Sequence, residues 1–347
     1  MRKGRALITR TNPKKRATVK DVAELAQVGA STISRFLRGG QVSTSAAERV
    51  ARAIKVLGYE PDENARALRS GRSRSIGVIL PKISNHFFSQ SVQLIEEEAQ
   101  LRGCTVILLT HGDRIAQQEE HLATLRRYRA DGIILTAAPD TTLGNIRSAL
   151  PDTPVVAFDS CISSSMDSVL LDNADAARIA TEHLLGHGYR DIACATGKPD
   201  IYSFKSRAAG YAKAMAAQGT RPRLIAAPDY EQLCSLLKDA FQGGSRPDAI
   251  LTLSDFATRN VLTIYRKLRL RGSKRVPILC FDDFDYASLV DPPLSVIRQP
   301  IAEMVHKSLN LLFKRIEGDA PKEARTILVP GELIIRSSCG CSKLIKW

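Results

Sequence analysis

The sequence predicts a small all-α helix-turn-helix head followed by an α/β body of two doubly wound parallel-sheet lobes. Three observations predict it. Basic charge is crowded into the first fifth of the chain, two short helical patterns meet there at a tight turn, and from Ser75 onward continuous apolar runs alternate with amphipathic ones. A length of 347 residues leaves room for one small and one large domain.

The head is justified by charge first. Of the net +14, residues 1–75 carry +11, from seventeen Lys/Arg against six acids, while the remaining 272 residues carry only +3. A basic head on a near-neutral body is the electrostatic footprint of nucleic-acid binding, although charge alone does not separate it from a solvated basic tail. Residues 1–17 lack periodicity and read as a mobile arm. Thr18-x-x-Asp21 is a capping-box pattern that starts a first helix, with Val19, Val22, Ala23 and Ala26 at helical spacing. Gln27-Val28-Gly29 interrupts it, and a second helix runs from 30 to about 37, ended by Gly39-Gly40. Ser43 or Ser45 caps a third helix that reaches Leu57 and closes at Gly58. On the second helix Ile33, Phe36 and Leu37 share the core face. Ala30, Ser31, Ser34 and Arg35 share a small, polar face that suits the major groove, where Arg35 could grip a guanine edge. Composition alone rates a surface helix with one solvated arginine equally well.

In its order and near spacing this set resembles the head of the LacI/GalR family: Val22-Ala23-x-x-Ala26, Val28-x-x-Ser31-Thr32-Ile33-Ser34-Arg35-Phe36-Leu37, Val42-Ser43, Leu57-Gly58-Tyr59-x-Pro61, Ala65 and Leu68. The resemblance implies that Ala30, Ser31 and Arg35 face bases and that Thr18, Thr32, Ser34 and Ser43 hold phosphates. It also implies a hinge helix over about 62–70 that folds when two copies meet in the minor groove, with Leu68 wedging between base pairs. The chain departs from the family at the turn, which is usually Gly-Val-Ser, and at Asp62, where Asn is usual.

The body is justified by ten strand-like runs, at 76–80, 105–109, 132–136, 155–158, 169–171, 192–195, 224–226, 249–253, 278–281 and 333–335. Helical patterns such as 87–101, 174–185 and 301–316 fill the gaps, so parallel sheets covered on both faces are expected. Ten strands exceed one comfortable core and predict two lobes, with a ligand at the carboxyl ends of the strands between them. Asp159, Asp172-Asn173, Ser254-Asp255 and Asp282-Asp283 stand at those ends, although an acid there is as often a helix cap. Carboxylates, an arginine and amides suit a polyhydroxylated ligand, with Phe87 or Phe88 covering an apolar face.

The resemblance extends over this body, implies a periplasmic-binding-protein-like fold, and assigns effector contacts to Asp159, Arg207 (in Arg-x-x-Gly-Tyr), Asp282 and Gln299. Ser254, Asn173, Phe87 and Phe88 are further candidates; Ser254 stands where the family often has Asn. The runs around Asp172-Asn173 and Asp282-Asp283 are similar to the branch that senses gluconate-type sugar acids, whose carboxylate Arg207, Lys198 and Lys205 could neutralise.

The expected organisation is an arm over 1–17, the helix-turn-helix unit over 18–60, a hinge over 61–73, a body over 74–340 and a tail over 341–347. Within the body the N-lobe is expected over about 74–171 and 301–328, and the C-lobe over about 172–300 and 329–340. No nucleophile elbow, phosphate loop, dinucleotide fingerprint or H-E-x-x-H is present, so an enzyme is not expected. The expected protein is a DNA-binding regulator, most simply a repressor, controlled by a sugar or sugar acid, rather than a free sugar-binding transport protein or a regulator of a non-sugar ligand. No apolar run is long enough for a membrane span and no hydrophobic stretch follows the basic N-terminus, so a cytoplasmic location is expected. A homodimer on a pseudo-palindromic operator is expected, because one head reads only a few base pairs. Cys339-x-Cys341 reads as a lone pair without partners, too little for zinc, so neither metal nor cofactor is expected.

Overall fold

The computed structural model describes residues 17–37, 39–59 and 72–341, which fall into two compact units, Met1–Ser73 and Arg74–Trp347. The arm up to residue 16, Leu68 with the hinge up to residue 71, and the tail from residue 342 lie outside the described residues.

In the first unit α1 (Val19–Ala26) opens with the expected capping box: Thr18 N–H donates to Asp21 at 2.7 Å, and Thr18 Oγ1 accepts from the Asp21 N–H at 3.4 Å. Gln27 turns the chain through the left-handed region (φ 52°), and Gly29 caps α2 (Ala30–Phe36) without a side-chain bond. Ser43, not Ser45, stands at the N-cap of α3 (Thr44–Leu57), yet its hydroxyl makes no capping bond. Val22, Ala26, Ile33, Val50, Ala53 and Tyr59 form the small core, and Arg49 Nε ties α3 to the Ala26 carbonyl at 3.1 Å.

In the second unit twelve strands form two six-stranded sheets among the described residues. They are β1 (Ser75–Leu80), β2 (Thr105–Thr110), β3 (Gly132–Leu135), β4 (Val155–Phe158), β5 (Ser168–Leu171), β6 (Ile192–Thr196), β7 (Arg223–Ala226), β8 (Ala249–Thr252), β9 (Ile278–Phe281), β10 (Ser295–Arg298), β11 (Thr326–Val329) and β12 (Glu332–Ile334). The helices between them are α4 (His86–Leu101), α5 (Ile115–Arg127), α6 (Leu143–Ala149), α7 (Asn173–Gly186), α8 (Tyr202–Ala217), α9 (Tyr230–Gln242), α10 (Asp255–Lys267) and α11 (Ile301–Glu317).

One sheet runs β11-β5-β4-β3-β1-β2, all parallel; the other runs β12-β10-β9-β8-β6-β7 and is parallel except for β12 against β10. Every residue of β1, β3, β5, β6, β8 and β9 is buried, as sheets covered on both faces require. Two strands depart from the expected ten. β10 is four residues long between Pro293 and Pro300 with only Val296-Ile297 apolar, whereas β11 has the run Ile327-Leu328-Val329 but stands at the sheet edge with Thr326 and Leu328 exposed. The chain crosses between the sheets three times: from β5 into α7, from β10 into α11, and from β11 into β12. Val329 pairs within the first sheet, one residue beyond the expected lobe boundary.

The Arg207-x-x-Gly210-Tyr211 pattern has a packing basis. Gly210 lets α8 lie against the start of α7, because a Cβ there would run into the Ala174 carbonyl. Tyr211, 1% exposed, donates to the Ile192 carbonyl at 2.6 Å and accepts from the Arg223 N–H at 2.7 Å, fixing α8 to β6 and β7.

Candidate functional site

In the first unit the proposed reading face is presented as expected from helical spacing. Ala30, Ser31 and Arg35 are exposed, Thr32 and Ser34 are half-buried, and Ile33 is fully buried beneath them. Thr18 and Ser43, both exposed, stand at the starts of α1 and α3, where helix N-termini favour phosphate oxygens.

In the second unit a cavity of about 260 Å³ lies at the carboxyl ends of the strands of both sheets. Phe87, Phe88, Asp159, Arg207, Ser254, Asp282 and Gln299 all line it. Asp159 follows β4 and Asp282 follows β9, equivalent places in the two sheets, and both take the left-handed backbone (φ 51° and 74°). Such a φ costs a non-glycine residue about 1–3 kcal/mol and is found where a side chain must be aimed, here into the cleft. Phe87 stacks on Phe158 (centroids 5.6 Å apart) and meets Phe88 edge-on, giving the N-lobe an apolar wall.

Arg207 is the central group of the opposite wall. It is 2% exposed, donates from Nε to Asn173 Oδ1 at 2.7 Å and from Nη1 to the Leu253 carbonyl at 2.7 Å, and lies over the Phe281 ring at 4.4 Å. Asp282 accepts from Gln299 Nε2 at 2.6 Å. Burial pushes the Asp159 carboxyl up to about 7; the Arg207 charge opposes the shift and the Asp282 charge adds to it. Asp159 Oδ1 and Gln299 Oε1 are buried and have no hydrogen-bond partner.

Three expectations change. Asn173 does not line the cavity; as the first residue of α7 it donates to the Leu171 carbonyl and holds Arg207 in place. Lys205 is exposed on α8 and does not line the cavity, whereas Lys198 does, with its Nζ 2.9 Å from Asp113 Oδ2 of the other lobe. The C-x-C of Cys339 and Cys341, read as having no partner pair, faces His183 and His187. The aromatic residues Tyr202, Phe204 and Phe256 also line the cavity; Phe256 lies just past β8 beside Ser254, and Tyr202 and Phe204 sit in the first turn of α8, beyond β6.

Comparison with known proteins gives two matching families: "Bacterial regulatory proteins, lacI family" over residues 18–62 and "Periplasmic binding protein-like domain" over residues 181–339. The chain is 30% identical over 331 residues to the HTH-type transcriptional regulator PtxS of Pseudomonas aeruginosa, covering 93% of this chain and 96% of that one. It superposes on a lac repressor dimer bound to operator with a TM-score of 0.84 at 24% identity, covering 94% and 99% of the two chains. It superposes on the cellobiose complex of the transcriptional regulator CelR with a TM-score of 0.69 at 26% identity, covering 93% and 100%.

Proposed function

The chain belongs to the LacI family of DNA-binding transcriptional repressors and is not an enzyme, and from that premise we propose that a sugar held in the cleft between the lobes sets its affinity for operator DNA. The observation that carries the sugar reading is the pair of unpartnered buried acceptors, Asp159 Oδ1 and Gln299 Oε1, beside a buried guanidinium in an aromatic-walled cavity. Buried polar atoms in folded proteins are nearly always satisfied, so a ligand rich in hydroxyl donors completes the site. The cellobiose complex of CelR supports the same class. Lys198, with its Asp113 partner, gives a sugar acid a cation at the cavity wall, and this is the second reading. A titration-calorimetry panel of neutral sugars, sugar acids and nucleobases tests both. Binding of hydroxyl-rich members alone is expected; binding by nucleobases alone would sink the sugar reading.

The proposed operator contacts are Ala30, Ser31 and Arg35 to bases and Thr18, Thr32, Ser34 and Ser43 to phosphates, in a cytoplasmic homodimer on a two-fold-related site. The effector contacts proposed are Phe87, Phe88, Asp159, Arg207, Ser254, Asp282 and Gln299. Arg35→Ala is expected to cost about 1–3 kcal/mol of operator binding and to relax preference at one base pair. Equal losses on operator and random DNA would make Arg35 a phosphate contact instead.

The Asp159 carboxyl supplies a pH signature. Its raised value means the ligand-free protein holds a proton there up to about pH 7 while the unfolded chain gives it up near pH 4, so this group's contribution to stability is lost as the pH rises between about 4 and 7. A sugar hydroxyl donating to the carboxylate favours the ionised form, so binding releases a proton. Affinity is therefore expected to rise with pH up to about 7 and then level off. Asp159→Asn removes that slope; a slope unchanged in the variant would assign it to another group.

A further inference from the structure

We propose that His183, His187, Cys339 and Cys341 form a tetrahedral zinc site that clips the C-terminal segment of the chain to α7. Zinc bonds of about 2.3 Å to sulfur and 2.0–2.1 Å to nitrogen place tetrahedral ligand atoms about 3.8 Å (S–S), 3.4 Å (N–N) and 3.5 Å (S–N) apart. Here the two sulfurs are 3.4 Å apart and the two imidazole Nε2 atoms 3.3 Å apart. The mixed edges are 3.3 Å (His183 to Cys339), 3.1 Å (His187 to Cys341) and 3.7 Å (His183 to Cys341), and all four atoms lie within 4.8 Å of one another. A disulfide would bring the sulfurs to about 2.0 Å, far closer than the 3.4 Å between Cys339 and Cys341. Hydrogen bonding joins such atoms in pairs; a central cation gathers all four.

The local structure explains how the set assembles. His183 and His187 are four residues apart at the end of α7, hence on one face, in the H-x₃-H spacing that zinc sites use. His187 is the C-cap of α7, where the helix dipole favours a cation. Cys339 is fully buried, and Ser295 Oγ donates to its sulfur at 3.1 Å; the Tyr189 hydroxyl donates to the Cys339 carbonyl at 3.3 Å. Such surrounding donors orient a thiolate ligand and moderate its charge. Four protein ligands leave no open position, so the site is structural rather than catalytic. All of its ligands belong to the lobe built on the second sheet, and α7, which they anchor at one end, begins with the Asn173 that holds Arg207.

The test uses untagged full-length protein, purified with a thiol reductant and dialysed against metal-free buffer, then assayed for zinc and exchanged with cobalt(II). One zinc per chain is expected, and the cobalt form should show tetrahedral visible bands with thiolate-to-cobalt charge transfer in the near ultraviolet. His187→Gln and Cys341→Ser alter residues at the outer side of the cluster and should each weaken metal binding at least about tenfold. His187→Cys should retain metal and intensify the charge transfer, which a merely misfolded variant would not do. Wild-type protein that holds no zinc and gives no thiolate-to-cobalt band would overturn the proposal, as would full metal retention in His187→Gln and Cys341→Ser.

Discussion

Arg207→Ala is expected to abolish sugar binding in calorimetry while leaving operator binding by the sugar-free protein intact. The guanidinium is buried, bonded to Asn173 and Leu253, stacked on Phe281, and is the cation nearest in effect to Asp159 and Asp282. Removing one member of a buried charged set leaves the others uncompensated, a cost of about 3–5 kcal/mol. Part of that loss should appear as a lowered melting temperature and part as sugar affinity weakened beyond the measurable range. Arg207→Lys keeps the charge but not the planar fork, so it should recover stability more than binding. A wild-type sugar isotherm in Arg207→Ala would remove this residue from the effector site.

Gly210→Ala is expected to be the most damaging small substitution in the second unit. The added methyl runs into backbone at Ala174, which cannot swing aside as a side-chain end would. Separating α7 from α8 disturbs Tyr211 and its bonds to Ile192 and Arg223, and also the Asn173–Arg207 contact. Overpacking of this kind costs about 3 kcal/mol. Denaturant unfolding measures it, and a loss below about 1 kcal/mol would show that the helices separate freely.

How much of this was legible in the sequence follows from which interactions are local. The capping box at Thr18, the Gly58 C-cap and the wholly apolar strands are short-range patterns, and they appear where periodicity put them. β11 was open to reading, since Ile327-Leu328-Val329 is an apolar run as long as that of β5, whereas β10 offers only Val296-Ile297 between bracketing prolines. In the cleft, acids following strands were visible because strand ends converge there. The role of Asn173 was not, since it depends on a contact with Arg207 thirty-four residues away. The same limit hid the partners of Cys339 and Cys341. The C-x-C was in view, but only the fold brings it against His183 and His187, across more than 150 residues.

On the proposed function, one chain joins a sequence-reading head to a sugar-gated cleft. The most direct measurement incubates full-length protein with fragmented genomic DNA, with and without each sugar of the panel, and sequences what remains bound. Enrichment of one two-fold-related motif is expected, with a change in its recovery on adding a hydroxyl-rich ligand that Arg207→Ala no longer follows. Recovery of fragments that share no motif, or of a motif whose occupancy no member of the panel alters, would contradict it.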